Sequence, residues 1–251
     1  MTLRLAVNGP VARLCIDRPD KRNAMNQAMW DALPALVEAA MAEPGVRVMV
    51  LESAHPGVFC AGADIAERLA NKDDAQWRAA NQAAINRAQH VLARAEKPVI
   101  AFIDGDCVGG GCGLALAADI RVATPRARLG ITPAKLGLVY PLHDTKLLVD
   151  LVGPGQAKRL LFTGMLVTAQ EALRIGLIDE LAESPGHLED LIGVNSLHST
   201  TGMKRFVRRI LDGQADDDAD TLAQFADAFT GPDFHEGTTA FVEKRKPEFG
   251  R

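Results

Sequence analysis

Two stretches of this 251-residue chain carry residue types and spacings suited to chemistry at the main chain. The first is Phe59-Cys60-Ala61-Gly62-Ala63-Asp64-Ile65-Ala66-Glu67. Its small residues let a ligand approach backbone N–H groups. Asp64 followed three positions later by Glu67 has the spacing of a capping box that opens a helix. The second is Gly105-Asp106-Cys107-Val108-Gly109-Gly110-Gly111-Cys112-Gly113-Leu114, which also leads into a helix. N–H groups at a helix start have no partner within the helix and bind an anion or an oxyanion. No Gly-Lys-Ser/Thr follows, so it is not a P-loop, and the G-x-G-x-x-G spacing of a dinucleotide fingerprint is absent. Read for structure alone, each stretch is a helix start with small residues for close packing. Two donors aimed at one point form an oxyanion hole, and a thioester carbonyl that becomes an enolate is its natural occupant.

Such donors need strands to carry them. Leu3 to Val7 and Val11 to Ile16, around Asn8-Gly9-Pro10, read as a β-hairpin. Val46–Leu51, Val99–Ile103 and Ile120–Ala123 read as short buried strands, and each glycine-containing stretch follows a strand. Helical patterns cover Met25–Met41, Ile65–Leu69, Gln76–Ala95 and Leu114–Ala118. Further on they cover Lys146–Val152, Gly155–Leu161, Ala169–Ile175, Thr201–Leu211 and Leu222–Phe229. Strand and helix in alternation argue for an α/β fold, either a layered sheet or a coiled, spiral arrangement.

Composition narrows the function classes. The chain is 47% hydrophobic and 24% charged, ordinary for a globular protein and wrong for a disordered chain, a collagen or a coiled coil. A net charge of −4 leaves no basic footprint, so no nucleic-acid partner is expected. No apolar run approaches the roughly 18 residues of a membrane span, and the start lacks a signal-peptide core. The four cysteines form no C-x-x-C pair, and the six histidines are scattered, so a reduced, cytoplasmic protein without a metal site is expected.

The ordered set of motifs resembles the crotonase superfamily, the enoyl-CoA hydratase/isomerase family. Besides the two stretches above, Arg18-Pro19-Asp20-Lys21-Arg22-Asn23-Ala24-Met25 resembles the family's N-terminal signature. Lys97-Pro98-Val99-Ile100-Ala101 resembles the strand before its glycines, and Ala169–Ile178 its "A-x-EA-x-x-x-GL" element. Phe234-His235-Glu236-Gly237 with Phe241–Pro247 resembles its C-terminal signature. The resemblance spans about Leu3 to Phe249. It implies an α/β, crotonase-like spiral of ββα units over residues 1–180. It implies a C-terminal helical region, 181–251, for assembly as a homotrimer or homohexamer. It implies an acyl-CoA thioester ligand, with coenzyme A as part of the substrate and no permanently bound cofactor. The oxyanion hole would be the N–H groups of Ala63 and Gly110. The loops Arg22–Ala24 and Ala61–Ile65, including Ala61 and Asp64, would hold the adenine and pantetheine. Lys244 would face the CoA phosphates across a subunit boundary.

The chain also departs from the family. Hydratases of this kind use two glutamates as general acid and base around a water. The first follows the glycines as G-G-G-C-E, and here that position is Gly113. The second lies in F-G-x-P-E, and here that position is Pro133. Neither moves a proton. The segment Thr132–Tyr140 resembles in part the family's methylmalonyl-CoA decarboxylase branch, although that branch has His and Glu where this chain has Ala63 and Gly113. Proton delivery then falls to Tyr140, Asp144 or His143. In structural terms Tyr140 is a packed aromatic, Asp144 a cap for a helix from Thr145, and His143 an exposed loop residue. Cys60 and Cys112 read as buried small hydrophobes, and Asp119 as a structural acceptor. Between Leu181 and Met203 a short Leu188–Ile192 stretch replaces a longer helix. The function expected is an acyl-CoA-processing enzyme that stabilises a thioester enolate. A non-catalytic acyl-CoA binder, a decarboxylase and a hydrolase are the alternatives.

Overall fold

A computed structural model describes residues 2–250. The chain opens with the expected hairpin, β1 (Leu3–Asn8) against β2 (Val11–Ile16), antiparallel in the register Leu3↔Ile16. Helix α1 (Gln27–Ala42) follows, its start fixed by the Asn26 side chain, which accepts from the Met29 N–H. Its buried stripe of Met29, Trp30, Leu33, Val37 and Ala40 faces the core.

Three turns of one motif come next. The first has β3 (Val48–Ser53) and β4 (Val58–Cys60), then α2 (Ile65–Ala70) and α3 (Ala75–Ala93). The second has β5 (Val99–Ile103), β6 (Asp106–Val108) and α4 (Gly110–Ala117). The third has β7 (Ile120–Ala123), β8 (Arg128–Gly130) and α5 (Leu142–Thr163). The first strand of each turn joins one sheet and the second joins another, parallel to the equivalent strand of the previous turn. This is the ββα spiral expected from the resemblance. Its corners stack very closely. A Cβ on Gly105, which has φ +93°, would sit 1.9 Å from the carbonyl oxygen of Gly57 in the corner of the preceding turn, so only glycine fits.

After α5, β9 (Leu166–Thr168) runs antiparallel to β8, α6 (Ala169–Arg174) follows, and β10 (Glu180–Leu181) joins β7. The finished sheets have the orders β1-β2-β3-β5-β7-β10 and β4-β6-β8-β9. Past β10 the regular elements of the described residues are helices: α7 (Gly186–Gly193), α8 (Leu197–Leu211), α9 (Ala219–Ala228) and α10 (Pro232–Glu243). Lys204 ties α8 to the spiral, its Nζ 2.6 Å from Asp119 Oδ2 and 2.9 Å from the Lys97 carbonyl. Asp119 is thus the structural acceptor expected, and it also takes the Val99 N–H.

The structure sharpens several boundaries. Helix α1 starts two residues later than the pattern suggested, because Met25 bridges to Ala63 instead. The two helical stretches on either side of residue 153 are one element with a break at Gly153 (φ 71°), just before Pro154. Strands β4, β6 and β8 were not evident in the sequence. Each has three residues, too few to show alternation.

Candidate active site

The two backbone donors expected to form an oxyanion hole come from two separate pieces of chain. At Ala63 the chain makes a single parallel bridge to Met25. The Met25 N–H donates to the Gly62 carbonyl at 2.7 Å, and the Asp64 N–H donates to the Met25 carbonyl at 2.9 Å. In that pattern the flanking residues make the bonds, and the N–H of Ala63 points away from Met25. Gly110 is the first residue of α4, where an N–H has no partner within the helix. The two groups converge. A Cβ on Gly110 would lie 3.5 Å from Ala63 N, and one on Gly62 would lie 3.2 Å from Gly110 N. Gly62 has φ +99° and its missing Cβ would be 2.8 Å from the Val108 carbonyl oxygen. Glycine is therefore required for the two strands of the hole to meet.

The loop Arg22–Ala24 backs the first piece. Arg22 and Asn23 adopt positive φ (51° and 58°). The buried Asn23 amide donates to Ser53 Oγ and to the Val58 and Phe59 carbonyls, which pins the loop to β4. The Ala61 N–H donates to the Arg22 carbonyl at 3.0 Å, so the two loops expected to hold a ligand are joined. Arg22 itself pairs with Asp106, which also takes Arg128. Asp64 caps α2 and pairs with Arg18. Glu67 does not complete a capping box. Its carboxylate accepts from the Gln27 N–H at the start of α1 and staples α2 to α1.

Both donors open into a cleft of about 150 Å³ between α2, α3, α4 and the segment from Thr132 to Asp144, with Ala61, Ile65 and Trp30 in its lining. The wall facing the oxyanion hole is made of side chains. A Cβ on Gly113 would lie 2.3 Å from Gln89 Nε2, 3.1 Å from the Tyr140 hydroxyl and 3.3 Å from Asp144 Oδ2. These three groups therefore occupy the space a side chain at 113 would take. Gly113 lies three residues beyond Gly110 on α4, about one turn or ~4.5 Å along the axis.

Asp144 is 1% exposed. Burial pushes its carboxyl up to about 6, and the neighbouring Gln89 amide offsets only part of that. No cation faces it. Burial and the Asp144 charge raise the Tyr140 hydroxyl well above the ordinary phenol value, so it stays protonated. That hydroxyl, Asp144 Oδ1 and both amide atoms of Gln89 are enclosed and have no hydrogen-bond partner. Unpaired buried polar groups are costly in a fold and are common where a ligand completes them.

The sequence candidates are distributed as follows. Ala63, Gly110, Tyr140, Asp144, Ala61 and Ile65 line the cleft. Asp144 does not cap a helix from Thr145. Helix α5 starts at Leu142, which puts Asp144 inside its first turn with the carboxyl buried. His143 is on the other side of α5. Its ring faces His90, 6.1 Å away between centroids. Burial, His90, Arg208, Arg94 and Lys146 hold it below the ordinary imidazole value, and it does not line the cleft. Arg22, Ala24 and Asp64 support the loops beside the cleft, and Lys244 lies at the exposed end of α10. Cys60 and Cys112 are buried as expected, and burial pushes the Cys60 thiol to about 12. Gln89 was missed. Its signal was present, since it is a polar residue among Ala84, Ile85, Ala88 and Leu92 on the buried face of α3.

Comparison with known proteins agrees with this geometry. The family model described as enoyl-CoA hydratase/isomerase matches residues 6–251. A crotonyl-CoA hydratase of Syntrophomonas wolfei is 31% identical over 95% of this chain and 94% of its own length. A short-chain-enoyl-CoA hydratase of Clostridium acetobutylicum is 33% identical over 97% and 95%. The crystal structure of an enoyl-CoA hydratase/isomerase family protein from Hyphomonas neptunium superposes with a TM-score of 0.94. It is 41% identical and covers 100% of this chain and 98% of that one. The paired backbone donors, the ββα spiral and these matches over nearly the whole length agree: the chain belongs to the enoyl-CoA hydratase/isomerase family.

Proposed function

We propose that this protein is an acyl-CoA-processing enzyme in which one carboxyl, Asp144, moves the proton α to the thioester. The reaction that one carboxyl performs without a co-reactant is isomerisation of an enoyl-CoA. The observation that carries this is the buried Asp144, raised to about 6, beside the space left by Gly113 and one helical turn from Gly110. The Asp144 carboxylate takes the α-proton of a 3-enoyl thioester. The C–H electrons pass into a dienolate, whose charge settles on the thioester oxygen. The N–H groups of Ala63 and Gly110 hold that oxygen, worth roughly 3–4 kcal/mol per donor where measured. The Asp144 carboxylic acid then returns the proton to the γ-carbon, and a 2-enoyl thioester results. The Tyr140 hydroxyl, protonated and without a partner of its own, stands beside Asp144 as a donor for the ligand. Two-glutamate hydration has no support at Gly113 and Pro133.

Coenzyme A enters as part of the substrate. The exposed apolar residues of α8 to α10, among them Val207, Ile210, Phe225 and Phe241, support assembly as a homotrimer or homohexamer through residues 181–251. Such assembly would give Lys244 a route to the CoA phosphates of a neighbouring subunit. A reduced, cytoplasmic setting fits the four free thiols. Among the described residues no helix is long and apolar enough to cross a membrane.

The test is incubation with a panel of 2-enoyl, 3-enoyl and saturated acyl-CoA thioesters in deuterium oxide, read by mass. A shifted double bond, read from the absorbance of the conjugated thioester, supports the proposal with or without deuterium in the product. Addition of water, loss of carbon dioxide or release of free CoA would each replace it with hydration, decarboxylation or hydrolysis. Binding with no chemical change would replace it with a non-catalytic binder.

A further inference from the structure

We infer that Arg68 selects the acyl group, and that the cleft takes a short acyl chain whose far end carries an ionised carboxylate, a monothioester of a dicarboxylic acid. This rests on reading the cleft as the acyl-CoA site.

Other arginines with buried surface have a carboxylate partner: Arg18 pairs with Asp64 and Arg121 with Asp179. Arg68 is different. It is half-buried in the cleft lining, its Nε is enclosed, and that nitrogen has no acceptor. Among the described residues no carboxylate faces it, and burial alone pulls it below the ordinary guanidinium value. A desolvated cation without a partner costs free energy, and a carboxylate meeting the guanidinium fork returns it with two parallel hydrogen bonds.

Its place along the cleft says which part of a ligand it would meet. Helix α2 begins two residues after the oxyanion donor Ala63. Ile65 and Arg68 lie one turn apart on one face of α2, and both line the cleft. A chain leaving the oxyanion hole along α2 therefore passes the isoleucine before it reaches the guanidinium. Helix α3 repeats the order. Gln89 stands beside Asp144, Ile85 is the next turn out, and Gln82 lies roughly 10 Å from Gln89 along the axis. Both helices run from the reacting centre through an apolar residue to a polar one. A methyl-ended chain would cover Ile65 and Ile85 and leave Arg68 desolvated and unpaired. A carboxylate-ended chain would pair it.

The test compares two unreactive thioesters that share the whole CoA moiety, hexanoyl-CoA and adipoyl-CoA, by calorimetry on the wild-type protein, Arg68→Met and Arg68→Lys. The same CoA phosphates are present in both, so any difference belongs to the acyl end. Adipoyl-CoA is expected to bind the wild type about tenfold or more tighter. That ratio should fall to about one or below in Arg68→Met and be partly kept in Arg68→Lys, which retains the charge. Equal binding of the two by the wild type overturns the inference. So does an equal weakening of both by Arg68→Met, which would assign Arg68 to a CoA phosphate or to packing. Because binding is read without turnover, the inference survives if the isomerase reading fails. If the wild type binds neither thioester, the acyl-CoA reading itself falls, and the inference with it.

Discussion

The two walls of the cleft are made of different material. One wall is main chain: the N–H groups of Ala63 and Gly110, brought together because Gly62 leaves no room for a side chain between them. The opposite wall is side chain: Gln89 from α3, Tyr140 from the loop before α5, and Asp144 from its first turn. The backbone wall is over-determined, held by the bridge at Met25, the Asn23 amide and the stacked corners. The side-chain wall is under-satisfied, with five enclosed polar atoms lacking partners if Trp30 Nε1 is counted beside those of Gln89, Tyr140 and Asp144. The wall that must stabilise one developing charge for every substrate is rigid. Under the proposed function, the wall that decides which proton moves is free to differ, and the acid–base group lies at position 144 rather than 113.

The comparison is most exposed at Asp144. Asp144→Asn should lower turnover by about 10³-fold, within the range for loss of a positioned acid–base group. The same change should stabilise the fold. The folded carboxyl is pushed up to about 6 from the ordinary 3.8 of an aspartate, so between those values the folded state binds more protons than the unfolded one. Stability therefore falls as pH rises through that window, and the full penalty is present above about 6. Removing the carboxyl should raise stability at neutral pH by up to about 3 kcal/mol, and by nothing below pH 3.8. Denaturant melts at both pH values check the sign. A loss of stability at neutral pH would show that the carboxylate is paired rather than merely buried.

The backbone wall answers to a different substitution. Gly62→Val forces a β-branched residue to φ +99° against the Val108 carbonyl. It should displace the donors and cost about 10²–10³-fold in kcat. A change confined to KM would place the hole's role in ground-state binding. A smaller effect is expected at Tyr140. Tyr140→Phe removes an unpartnered hydroxyl from beside Asp144 and should lower kcat roughly five- to tenfold in steady-state kinetics. The smallest effect tests the boundary of the site. His143→Gln should change kcat by about twofold or less, because the imidazole faces His90 across α5 rather than the cleft. A larger loss there would extend the side-chain wall behind Asp144.

How much of this was legible in the sequence follows the same division. The meeting of the two backbone donors could be read because its physical requirement, small residues before a helix start, is written in residue type at Gly62, Ala63 and Gly109 to Gly111. The spiral could be read as α/β from its buried runs, although β4, β6 and β8 were too short to show a period. The acid–base wall was legible only as a set of alternatives. Asp144, His143 and Tyr140 are close in sequence, and whether a side chain points into the cleft depends on where α5 begins. Pro141 and the burial of Leu147 and Leu148 start the helix at Leu142, which turns Asp144 inward and His143 outward. Gln89 lies 55 positions before Asp144 and meets it only through the packing of α3 on α4 and α5, a relation no local pattern carries.

The central claim is that Asp144 removes the α-proton of a thioester held by Ala63 and Gly110. It is tested most directly by exchange of the α-protons of a saturated acyl-CoA into deuterium oxide, followed by mass for the wild type and Asp144→Asn from below to above pH 6. The wild type should exchange at a rate that rises through about pH 6 and levels off, and the variant should exchange at the rate of free thioester throughout. Equal exchange by the two proteins, or a wild-type rate indifferent to pH across that range, would contradict the account.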